Sequence, residues 1–107
     1  MISRHWTGIV KKDRADEYID HLKNETFRRL ALINGFIEAA ILNRDLDDGI
    51  EFLIITKWTS LEAIIQFTGE NYEAAVVPKV AQDMMIRFDK AARHYNVNFI
   101  TYSRETQ

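Results

Sequence analysis

No cysteine occurs in the chain, and that one absence removes disulfides, thiolate nucleophiles, iron–sulfur clusters and thiolate zinc sites together. Proline occurs once and glycine four times, which leaves little for linkers, and neither repeats nor low-complexity stretches are found. Neither sign of charge is in excess. With 14 basic and 16 acidic residues the net charge is −2, which gives no electrostatic footprint for nucleic acid or an anionic membrane. No apolar run approaches the ~20 residues a bilayer span needs. The opening MISRHWTGIVKK lacks a signal peptide's order of basic start, long apolar stretch and cleavage site, so a cytoplasmic location is expected by default. Serine-hydrolase, phosphate-loop and dinucleotide motifs are missing as well, and with no clustered histidines the expectation is a protein isolated without metal or flavin.

What remains is a globular composition, 47% hydrophobic and 28% charged, in 107 residues that have room for one domain, 1–107. Ile2 to Val10 is β-branched and aromatic without a breaker and is expected to be a strand. Asp13 suits an N-cap, with Asp16 in the place of a capping-box acid. Behind it Ala15, Tyr18, Ile19, Leu22, Thr26 and Leu30 fall along one helical face that should end before Asn34-Gly35. Phe36 to Asn43 and Ile50 to Trp58 are two further apolar runs, and the polar connection between them ends in Asp48-Gly49, which predicts a hairpin. Thr59 and Glu62 form a T-x-x-E capping box for a second helix, and Gly69 is its expected stop. Val77, Val80, Ala81, Met84, Met85, Phe88 and Ala92 then predict a long helix from about Pro78 to Arg93, followed by a last strand from His94 to Tyr102. The order β-α-β-β-α-β is the split pattern of α+β ferredoxin-like folds, with the first and third strands central and the last beside the first.

A sheet with helices on one side should alternate apolar and polar residues. The run Phe52-Leu53-Ile54-Ile55 does not, and neither does Ala39-Ala40-Ile41-Leu42. Each large side chain left in water forgoes roughly 1.5–3 kcal/mol of burial. A homodimer packed through the sheets is therefore expected.

The run EFLIITKWTSLEAIIQFTGENYEAAVVP, the later RFDKAARHYNV and the opening Ile2-Ser3-Arg4-His5-Trp6-Thr7-Gly8 together resemble the antibiotic-biosynthesis-monooxygenase family of the dimeric α/β-barrel superfamily. The resemblance implies a substrate held between helices and sheet, and enzymes that oxidise polycyclic phenols or degrade haem, some without metal or flavin. Haem-degrading members rely on an asparagine, a tryptophan and a histidine. In this sequence those positions carry Trp6, Phe67 and Val77, so the resemblance does not extend to haem degradation.

Among candidate site residues His94 stands first, because an imidazole can accept a phenolic proton near neutral pH. By strand parity it shares a face with Asn96 and Asn98, opposite Tyr95, Val97 and Phe99. Arg4 and Trp6 share a face of the first strand and could bind an anionic ring through charge and stacking, or Arg4 could simply pair with a helix carboxylate. The two catalytic candidates, His94 and Arg4, are expected near opposite ends of one cleft. Tyr72 lies where a loop would meet the cleft mouth. Phe67, Met84, Met85 and Phe88 fit either pocket or core. His21 and Glu25, one helical turn apart, are read as a solvated face, and His5 as part of the dimer side. The expected function is a cofactor-independent monooxygenase on a small aromatic or polyketide-like substrate; the alternatives are a ligand-binding or stress-associated dimer without catalysis and an isomerase or cyclase.

Overall fold

The architecture is taken from a computed structural model that describes residues 1–104. Strand β1 spans Ile2–Val10, β2 Phe36–Asp45 and β3 Ile50–Trp58. They form one antiparallel sheet with two shorter strands, β4 (Met85–Phe88) and β5 (Arg93–Asn96), in the order β2-β3-β1-β4, with β5 also pairing β1. The α+β ferredoxin-like plan is thus present, with β1 and β3 in the centre. Strand β3 follows a period-2 burial pattern. Phe52, Ile54, Thr56 and Trp58 of β3 are buried beneath the helices, while Leu53 and Ile55 turn to the other face.

Helices cover one face. A rod begins with a single 3-10 turn, continues as α1 (Ala15–His21), passes through a π-helical turn at Leu22–Thr26 and finishes as α2 (Phe27–Leu30). The π turn is closed by the bond from the Phe27 amide to the Leu22 carbonyl, five residues back. Helix α3 (Leu61–Thr68) follows β3, and a single turn, α4 (Lys79–Gln82), precedes β4.

Several sequence expectations need correction. Asp13 lies inside the 3-10 turn and caps nothing; α1 begins behind Arg14 with no side-chain cap. The N-cap of α3 is Ser60 and not Thr59: its hydroxyl accepts from the Ala63 amide at 3.2 Å. Gly69 does end α3, at φ 82°, a conformation that glycine adopts without steric cost. The largest correction concerns the long helix from Pro78 to Arg93. After four helical residues the chain turns and extends as β4, pairing Phe88 with Gly8 and Arg87 with Ile9. The Met84-Met85…Phe88 spacing fits either element, and the hydrogen-bonding edge of β1 decides it, an influence no local pattern contains. The last strand is correspondingly shorter than His94 to Tyr102; Phe99 and Tyr102 are exposed outside regular structure.

Two apolar clusters result. One gathers Val10, Tyr18, Leu22, Phe52, Ile54, Ala81, Met84 and Met85, so the two methionines are core. The other is built on Trp58, whose ring lies between Phe36, edge-on at 5.3 Å, and Phe67, stacked at 6.2 Å, above Leu30 and Ile64. Phe27 packs against both.

Candidate active site

At the seam of the two clusters, between sheet and helices, lies a cavity of about 60 Å³. The sheet gives it Arg4, Trp6, Ile54 and Thr56, and the helical rod gives Tyr18, His21, Leu22, Thr26, Phe27 and Leu30. Phe67 and the segment 76–78 close the remaining side.

Arg4 is the unusual group. It is only 6% exposed, yet no carboxylate pairs with it among the described residues, which sets aside the helix ion pair considered as its bland role. Its Nη1 donates to the Tyr72 carbonyl and lies 2.9 Å from His94 Nε2, while Nη2 donates to the Ala74 carbonyl at 3.1 Å. Burial without an anion lowers its pKa to about 10. The Phe67 ring lies 6.0 Å from the guanidinium carbon. A cation held this way by neutral acceptors keeps most of its charge available to whatever enters the cavity.

His94 sits directly across the β1–β5 ladder from Arg4. The expectation that these two stand near opposite ends of a cleft is therefore wrong: their side chains touch. A guanidinium has no acceptor, so His94 Nε2 must accept and the ring is neutral, its proton on Nδ1. Partial burial, with the nearby Arg4 charge second, lowers its pKa in the same sense, against a smaller opposing pull from Glu73. Tyr72 meets the His94 ring edge-on at 5.4 Å, and its carbonyl serves Arg4. Neither His94 nor Tyr72 lines the cavity; both stand behind Arg4.

Trp6 presents its ring to the cavity while its Nε1 donates to the Asp89 carbonyl at 2.7 Å. Gly8 makes this possible, since a Cβ there would lie 2.6 Å from the Trp6 ring. Phe88 supports the same ring at 6.3 Å without reaching the cavity. Asn96, paired with Ile2 at the far end of β5, is exposed and away from it. His5 lies on the opposite face, its Nε2 2.8 Å from Ser3 Oγ and its ring against Tyr95.

Sequence reasoning missed His21. Read as solvated with Glu25, it instead lines the cavity, and its buried Nε2 has no hydrogen-bond partner among the described residues. The π turn explains the error. It replaces the four-residue spacing from His21 to the exposed Glu25 by a five-residue one to Thr26, and both His21 and Thr26 point inward. The signal available in the sequence was its spacing from Tyr18, three residues away along the apolar stripe. Thr56 was missed too, although it shares the inner face of β3 with Ile54 and Trp58; its hydroxyl accepts from Trp58 Nε1 at 2.8 Å. No three His, Cys, Asp or Glu side chains converge among the described residues.

Comparison with known proteins agrees with this architecture. Solved structures with similar folds include a Bacillus cereus protein assigned as an antibiotic biosynthesis monooxygenase, at TM-score 0.64 and 20% identity over 95% of each chain. They also include SnoaB, a cofactor-independent oxygenase from Streptomyces nogalater, at TM-score 0.62 and 14% identity over 92% of this chain and 94% of that one. No curated protein sequence is detectably similar. The family model for antibiotic biosynthesis monooxygenases matches residues 1–78, a span that carries Arg4, Trp6, His21 and Phe67. The chain belongs to the antibiotic biosynthesis monooxygenase family.

Proposed function

We propose that the protein is a monooxygenase acting, without a cofactor of its own, on a small aromatic or polyketide-like substrate that carries an acidic hydroxyl. The observation that carries this reading is the buried Arg4, which has no carboxylate partner among the described residues and faces an apolar cavity beside Trp6 and Phe67. Such a pocket favours a flat ring that gains negative charge as it reacts, because a fixed cation in an apolar setting stabilises charge better than water does. Once the hydroxyl has lost its proton, the electron-rich ring can react with dioxygen. One oxygen atom becomes a ring carbonyl. The other leaves as water with the hydrogens of the original C–H and O–H, so a phenol and dioxygen give a quinone and water. Arg4 holds the oxyanion, and His94 holds Arg4.

At about 60 Å³ the cavity is far below the ~300 Å³ at which pockets for drug-sized ligands begin, so binding a ring requires the lining to give way. Oxygen consumption with a naphthol or anthrol tests the reading. One dioxygen per substrate, with label from ¹⁸O₂ in the quinone and loss of both in Arg4→Met, is the expected result. Tight binding with no oxygen uptake would assign the cavity to ligand binding alone. Conversion without uptake would assign it to isomerisation or cyclisation.

The protomer is further proposed to pair through the outer sheet face, where Leu42 and Tyr95 are exposed beside Leu53 and Ile55. Sedimentation should give twice the 12.5 kDa chain mass, and Leu53→Asp should dissociate or unfold the pair.

A further inference from the structure

We propose that His21 takes the hydroxyl proton of the bound ligand, so that the cavity selects aromatic or enolic compounds whose acidic hydroxyl reaches between His21 and Arg4. This rests on the reading of the cavity as the substrate site and names the group that the reading leaves open.

The chain has three histidines, and two are already engaged. His94 Nε2 accepts from Arg4, and His5 Nε2 pairs with Ser3 on the opposite face. Only His21 brings an imidazole nitrogen into the cavity with no protein partner among the described residues. The other titratable side chains of the lining cannot serve. Arg4 is a donor without a lone pair. Tyr18 is held in its protonated form, because burial pushes its phenol well above the ordinary range. The hydroxyls of Thr26 and Thr56 are not bases near neutral pH. A buried, unsatisfied ring nitrogen is costly, and a ligand hydroxyl placed against it removes that cost.

Local structure supports the same assignment. The π turn that starts at Leu22 turns His21 and Thr26 together into the cavity, and π turns inside α-helices recur at functional sites. The ring of His21 lies parallel to that of Tyr18, with centroids 6.5 Å apart. In the proton transfer the ligand O–H bond breaks and an N–H bond forms at His21. The electron pair stays on the ligand oxygen, and the charge spreads into the ring in front of Arg4. Helix wall and sheet wall thus divide the work: one removes the proton, the other keeps the charge.

The test uses para-nitrophenol, whose absorbance reports its own ionisation. Bound to the wild-type protein it should be ionised at pH values where the free compound is protonated. His21→Gln and His21→Phe should raise the pKa of the bound phenol by about one unit or more, a tenfold change in ionisation. In the wild-type protein, ¹⁵N resonances of His21 should show Nε2 gaining a proton when the probe binds. A bound probe that stays equally ionised in both variants, or unchanged His21 resonances, overturns the role of His21 and leaves the cavity reading standing. Failure of the wild type to bind the probe overturns both. A proton shift that persists where naphthols draw no oxygen keeps His21 in its role and removes the oxygenase reading alone.

Discussion

The two walls of the cavity are built on opposite rules. On the sheet wall every charged or titratable group is bonded: Arg4 is held by two main-chain carbonyls and by His94. On the helix wall the buried Nε2 of His21 has no hydrogen-bond partner among the described residues. A histidine whose acceptor nitrogen is already engaged can orient a neighbour, whereas one that is buried and free can exchange a proton with a ligand. Sequence ranks the two in the reverse order, because His94 opens the last strand on a face shared with Asn96 and Asn98, and His21 lies in a run of charged helical residues. The contrast teaches that hydrogen-bond occupancy, and not residue type or strand position, separates a supporting imidazole from a reacting one.

Breaking the sheet wall should have the largest effect. Arg4→Met removes the donor to two carbonyls and an imidazole, and should cost about 3 kcal/mol in chemical denaturation while abolishing uptake of an anionic aromatic probe. Next comes Gly8→Ala, whose added methyl forces the Trp6 ring aside; overpacking of this kind costs roughly 1–3 kcal/mol. Trp6→Leu added to Gly8→Ala should recover much of that loss in thermal unfolding, whereas a purely backbone effect at Gly8 would not be rescued. His94→Ala should cost only about 1 kcal/mol and weaken the probe roughly tenfold through a looser Arg4, with turnover of bound substrate kept. His94→Gln, which can still accept from Arg4, should restore both. A kcat loss in His94→Ala as large as in His21→Phe would erase the distinction between the walls.

The smallest effect is one of pH. His94 has its pKa lowered beneath 6.5, by burial first and by Arg4 second. Between that lowered value and 6.5 the unfolded chain binds more protons than the folded one, so stability falls as pH drops through this window and levels off beneath it. His5 is shifted in the same direction, by burial and then Lys57, so His94→Gln should flatten part of the slope and not all of it. Denaturant midpoints followed from neutral pH into mild acid would measure this.

How much was legible follows the same division between local and distant causes. Strands β1 and β3 match the sequence expectation at both ends because an unbroken apolar, β-branched run is a property of each segment alone. That β5 lies beside β1 was legible too, from crossover rules. Its register was not: the pairing of His94 with Arg4 depends on where β4 ends and β5 begins, and that break was hidden inside an expected helix. Met85–Phe88 became a strand because the outer edge of β1 needs hydrogen-bond partners, a demand made far away in sequence. On the site, strand parity put Arg4 and Trp6 on one face, while Phe67 was left open between pocket and core; all three line the cavity. His21 was not recognised, since it was paired with the exposed Glu25 across the π turn and its three-residue spacing from Tyr18 was not weighed.

That turn of π-helix has a consequence for how relatives of this chain should be aligned. One residue of α-helix corresponds to about 100° of rotation. Deleting a single residue from Leu22–Thr26 would restore regular pitch and keep the flanking helix in phase, with His21 and Thr26 then four residues apart on one face. A one-residue gap placed here thus keeps the cavity-facing positions of two relatives in register, whereas an ungapped alignment would set a cavity residue of one against a solvent residue of the other.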